Sequence, residues 1–126
     1  MEIKSKSEII KYIDENQIPG INDKIRKIIN IIELIKEFII NIESDLTWSN
    51  YKSEKEILIE LDTMIQEFEE ENFSRLLDLQ AHFAPASEFQ EISISSGWSE
   101  EFIVISKMFE DALITLIKEF DLKTYD

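Results

Sequence analysis

Apolar residues recur along this chain at helical rather than strand spacing. Ile9, Ile10 and Ile13 follow Ser5-Lys6-Ser7-Glu8, which has the form of a capping box: the serine takes an orphan backbone N–H and the glutamate reaches back. Pro19-Gly20 stops this short first helix. A second helix begins at Asn22-Asp23, a polar cap followed by an acid favoured at the positive end of the helix dipole, and runs to about Ser44. The third opens on Ser53-Glu54-Lys55-Glu56, another capping box, and continues to about Gln80. The fourth starts at Ser99 and ends near Leu122. At ~1.5 Å per residue the three long helices are each about 35–42 Å, and matched lengths favour an antiparallel bundle. The expected fold class is all-α: three long antiparallel helices, a short N-terminal helix alongside, and a long ordered loop before the last helix, in one domain over residues 1–126.

The second helix carries more apolar residues than one face can hold. Ile25, Ile28, Ile29, Ile31, Ile32, Leu34, Ile35, Phe38, Ile39, Ile40 and Ile42 fill two adjacent stripes beside a polar stripe of Arg26, Asn30, Glu33, Glu37, Asn41 and Ser44. A surface helix usually shows one apolar face of ~100°. Two outcomes fit: a central helix touched by all the others, or a homodimer that uses the spare stripe at Ile31, Leu34 and Phe38. In the third helix, Ile57, Leu61, Met64, Ile65 and Phe68 form one stripe, carried on by Leu76 and Leu79 but interrupted at Asn72. In the fourth it is Phe102, Ile105, Phe109, Ala112, Leu116 and Phe120.

Composition narrows the function. Ile, Leu, Val and Phe make up 43 of the 126 residues, enough for a packed core, and two Gly with two Pro are too few for a β-sandwich or barrel. Thirteen basic against 27 acidic side chains leave a net charge of −14, which disfavours nucleic acid and anionic membranes as partners. The absence of cysteine removes disulfides, thiolate metal sites and thiol catalysis. Residues 1–13 alternate charge with isoleucine, unlike a signal peptide, and no apolar stretch is long enough to span a membrane, so a cytoplasmic location is expected.

The charge is uneven. Residues 1–40 balance, whereas residues 54–111 hold three basic side chains (Lys55, Arg75, Lys107) and fifteen acidic ones. The densest run is Glu67-Phe68-Glu69-Glu70-Glu71. Such a field speeds encounter with a basic protein and selects against acidic competitors. Beside it, residues 83–98 form a long segment between helices, with Phe83, Phe89, Ile92, Ile94 and Trp98 spaced through it. The alternation from Gln90 to Ser95 suggests a short extended piece. Trp and Phe ringed by charge resemble a binding hot spot. The expected partner-binding residues are therefore Glu67, Glu69, Glu70 and Glu71 for steering, with Phe89 and Trp98 as anchors.

The function expected from this pattern is a non-enzymatic acidic interaction module with a basic protein partner and no cofactor. In size, charge and helicity the chain is similar to bacterial immunity proteins and antitoxins, which neutralise basic toxins. The homodimer through the second helix is the alternative. A metal-assisted hydrolase is a lesser one: Glu67-x-x-Glu70 has the spacing of half a helical magnesium motif, but no Asp has a Glu three residues before it to supply the other half. His82, the only imidazole, lacks a Glu three residues earlier, and no glycine-rich elbow surrounds Ser93, Ser95 or Ser96. It is expected to sit at a helix end, against the negative end of the dipole.

Overall fold

The computed structural model describes residues 5–41, 54–84 and 87–122. They form six helices, α1 (Lys6–Glu15), α2 (Asp23–Asn41), α3 (Glu54–Glu69), α4 (Leu76–Phe83), α5 (Glu88–Ser96) and α6 (Ser99–Phe120), with no strand among the described residues. The fold class is all-α. No helix among these residues is long and apolar enough to cross a membrane.

The cap at Ser5 forms. Its Oγ accepts the Glu8 N–H at 3.2 Å and lies 2.9 Å from the Glu8 carboxylate, which takes the hydroxyl proton. The far end of α1 has no basic residue in its last turn and is closed by α2 instead. Arg26 Nη1 donates to the Asn16 carbonyl at 2.7 Å, and Asn30 Nδ2 donates to the carbonyls of Ile13 and Asn16 at 2.9 Å. Arg26 and Asn30 are buried, so the first half of the polar stripe satisfies orphan carbonyl groups rather than facing water.

The rest of α2 settles the question of its spare stripe. The helix packs on α1, α3 and α6, and Ile31, Leu34 and Phe38 are no more than 2 % exposed. These residues are core, so the surface required by the dimer alternative is occupied by the chain's own helices. Asn22 reaches Glu119 at 3.1 Å, while Phe38 stacks on Trp98 with ring centroids 5.0 Å apart. The start of α2 thus meets the end of α6 and its end meets the start of α6, so the two run antiparallel.

Tyr12, on α1, is raised from 10.0 to about 12 by partial burial and then by the Glu33 and Glu37 carboxylates of α2. The folded state therefore resists tyrosinate formation. This contribution to stability is intact below pH 10 and is lost as pH rises from there through about 12. Tyr12 is expected to ionise late in an absorbance titration, and Tyr12→Phe is expected to remove that late phase. A titration in which the variant keeps the late phase would disprove the assignment.

The third long helix is shorter than its apolar stripe implies. It ends at Glu69, where the Asn72 N–H donates to the Glu67 carbonyl at 2.8 Å and the Glu71 N–H to the Phe68 carbonyl at 3.0 Å. That is a Schellman cap, with Glu71 left-handed at φ 59°. Asn72 favours the stop because its Oδ1 accepts the Ser74 N–H, a turn that competes with helix. Phe73 then packs between Phe68 and Phe120. Leu76 and Leu79 belong to a separate helix, α4.

The segment before the last helix is also not a long loop. Gln90–Ser95 lies within α5, whose buried residues Phe89, Ile92 and Ser93 follow helical spacing, while Ile94 points outward. Gly97, left-handed at φ 84°, ends α5 and turns the chain into α6. Residues 42–44 and Ser53, the expected end of the second helix and cap of the third, lie outside the described residues.

Candidate functional site

The acidic run sits at the C-terminal end of α3. Glu67 lies in the last turn and is half-buried, Glu69 is the final helical residue, and Glu70 and Glu71 form the left-handed turn beyond it. Glu69, Glu70 and Glu71 are exposed, and their carboxylates meet no partner among the described residues. One Glu67 oxygen is 3.4 Å from Asn72 Nδ2, and the other is buried without a hydrogen bond. The structure therefore gathers the four acids into one turn.

It does not bring the two aromatic anchors to that surface. Phe89 and Trp98 are each 1 % exposed. Phe89 packs edge-on to Phe83, which stacks on Phe109 at 4.1 Å. Trp98 lies between Phe38 and Phe102. As core residues, neither is available as a surface anchor. The physical reason is α5: once residues 88–96 coil, Phe89 turns inward and the Gly97 turn drives Trp98 under α2.

The apolar side chain that does stand on the acidic face is Ile59, 56 % exposed on the outer side of α3. It falls out of phase with the Ile57, Leu61, Met64, Ile65, Phe68 stripe, and that phase is the sequence signal that could have found it. Ile59, Thr63, Gln66 and Glu70 succeed one another at intervals of four, three and four residues, and so line one ridge. The Thr63 hydroxyl donates back to the Ile59 carbonyl at 2.9 Å, which leaves the threonine methyl on the surface. Asp62, beside the ridge, is neutralised by Lys36 from α2. Burial works against the charge on Lys36, but Asp62 and Glu33 outweigh it and hold its pKa above the usual lysine range.

A second polar cluster ties α3, α4 and α5 together. Glu60 Oε1 lies 2.9 Å from Arg75 Nη2 and 3.2 Å from His82 Nε2, and His82 Nδ1 lies 3.2 Å from Glu88 Oε2. His82 is in the last turn of α4, as its place in the sequence suggests, but two carboxylates hold its ring. Ser87 donates to the His82 carbonyl at 2.6 Å, and Ser93 Oγ donates to the Gln90 carbonyl. Arg75 also approaches Asp78 at 3.6 Å. The cluster joins the three helices through hydrogen bonds and an ion pair.

Among the described residues, no three His, Asp or Glu side chains come together as a group able to hold a metal ion. A cleft of about 240 Å³ opens where α1, α2 and α6 meet, lined by Ile13, Asp14, Lys27, Met108 and Asp111. Its lysine is paired with Asp14 at 3.6 Å.

Compared with protein-family models, curated proteins and solved structures, the chain finds no match.

Proposed function

We propose that the chain is a non-enzymatic interaction module that presents the turn after α3 to a basic protein partner. In this reading it is a cytoplasmic inhibitor of the immunity or antitoxin type, on an antiparallel bundle frame. One observation carries the proposal: Glu67, Glu69, Glu70 and Glu71 stand where folding gains least from them. A helix C-terminus is the negative end of the dipole, and each misplaced acid there costs about 0.3–1 kcal/mol. The last turn of α3 holds no basic residue, and Arg75, the next cation along the chain, is engaged by Glu60 and Asp78. Glu71 adds a left-handed backbone that glycine or asparagine would adopt at lower cost. Local rules broken together at one turn, where Glu69, Glu70 and Glu71 are exposed and meet no partner among the described residues, mark a place shaped by something other than stability.

Replacing Glu67, Glu69, Glu70 and Glu71 together by Gln tests this. The variant is expected to melt several degrees higher, since about 1–2 kcal/mol of unfavourable electrostatics is removed. It is also expected to lose the basic protein captured by the wild-type chain from the native host's lysate at low salt, and to lose the salt dependence of that capture. If both chains capture the same protein with the same salt dependence, the acids are only a solvated face.

A further inference from the structure

We infer that the outer face of α6 pairs with the same face of a second copy of this chain, the two helices running antiparallel about a twofold axis at the level of Phe109. The inference is independent of the turn after α3, which lies on another helix. It starts from two apolar side chains that the bundle leaves out. Ile103 is 66 % exposed, more than any other large apolar side chain among the described residues, and Ile114 is 51 % exposed. About three helical turns separate them, so both stand on one face of α6.

The charges beside them identify the occupant. Glu100, Lys107, Asp111 and Lys118 are all exposed, and none forms an ion pair among the described residues. At ~3.6 residues per turn they fall within about 40° of one another, along one edge of the isoleucine face. Their signs alternate, so neither a uniformly basic nor a uniformly acidic partner fits the strip. Their spacing is palindromic: Glu100 and Lys118 are each nine residues from Phe109, and Lys107 and Asp111 are each two. A twofold antiparallel pair sets each edge against the same edge of the other copy, with positions equidistant from the axis opposed. Glu100 then meets Lys118, and Lys107 meets Asp111, whereas a parallel pair would oppose like charges. In the same register Ile114 meets the half-buried Val104 and the adjoining Ile103 of the second copy. The helix dipole accounts for Glu100 in the first turn and Lys118 in the last, but not for the charges at the middle of α6 or the bare isoleucines. On the opposite edge Glu110, one residue from the axis, faces Glu110 of the second copy, a repulsive contact.

Sedimentation velocity of the full chain tests this from about 5 to 500 µM at ~0.15 M salt, where a Debye length of ~8 Å screens the net charge of each copy but not pairs in contact. One helix per copy is small beside the ~1,200 Å² at which stable interfaces begin, so the dimer is expected to be weak and to form in the upper part of that range. Ile103→Glu, Lys107→Glu and Asp111→Lys are each expected to weaken it about tenfold. All three sites are exposed, so the variants should keep the helical circular dichroism of the wild type. Glu110→Gln is expected to tighten the dimer about threefold. An equimolar mixture of Lys107→Glu and Asp111→Lys is expected to recover the wild-type dimer, because each chain now supplies the charge that the other lacks. A wild-type chain that stays monomeric at the highest concentration overturns the inference. So does a dimer that survives Ile103→Glu, or one that the two charge variants weaken separately and do not recover when mixed.

Discussion

Leu34→Glu is expected to unfold the chain. Leu34 is fully buried on the central helix, which α1, α3 and α6 enclose. A carboxylate placed there must either stay charged without water or take up a proton and still lack hydrogen-bond partners. Either way the Leu34 packing is lost as well. The combined cost is about 5 kcal/mol or more, comparable with the whole stability of an ordinary domain. Circular dichroism and a one-dimensional proton spectrum at 25 °C would show loss of helix and of dispersed methyl signals. A folded variant of smaller hydrodynamic size would instead mean that this stripe had been facing a second subunit. Ile59→Glu is the matched control: the same kind of change at an exposed position, expected to shift stability by less than about 0.5 kcal/mol.

That contrast shows what the sequence reveals and what it withholds. Both residues are aliphatic and both lie on predicted helices. Ile59 is out of phase with its own stripe, so its exposure is legible. Leu34 belongs to a helix with two apolar stripes, and only the observed packing shows that the chain's own helices bury Ile31, Leu34 and Phe38 while Ile40 stays exposed. The caps and stops read well where the determining groups are local: Ser5 with Glu8, Asn22 with the N–H of Lys24, and Pro19-Gly20 after α1. The closing of α1 by Arg26 and Asn30 is not legible, because the donors come from another helix.

The division of the third helix shows in the apolar pattern only as the interruption at Asn72, because Leu76 and Leu79 keep its phase. The stop comes from the Asn72 turn and from Phe73 finding Phe120, a residue far along the chain. The candidate site divides in the same way. Charge is additive along a sequence, so the acidic run is legible in the order of residues alone, while its place at a turn is not. Aromatic residues are ambiguous, since Phe89 and Trp98 suit an exposed hot spot and a core equally well. An extended Gln90–Ser95 would put Ile92 and Ile94 on the same side. The helix sends Ile92 into the core and Ile94 to the surface.

Trp98→Ala therefore reports on the fold before it reports on any partner. The indole is 1 % exposed, stacked on Phe38 at 5.0 Å and edge-on to Phe102 at 6.1 Å. Removing it leaves a large cavity where α2 meets α6, and the expected loss is about 3–5 kcal/mol in urea unfolding. Its Nε1–H is buried and finds no acceptor among the described residues. The indole contributes through packing rather than hydrogen bonding, so Trp98→Phe, which keeps an aromatic ring and discards the orphan donor, is expected to lose far less. A cycle with Phe38→Ala should give a coupling of about 0.5–1.5 kcal/mol, the usual worth of an aromatic pair beyond its buried area. If Trp98→Ala instead melts within a degree or two of wild type while partner capture disappears, the ring is an exposed anchor and the packing described for it is wrong. If capture fades only in proportion to the fraction unfolded, the binding surface lies where the charge is, on the outer side of α3.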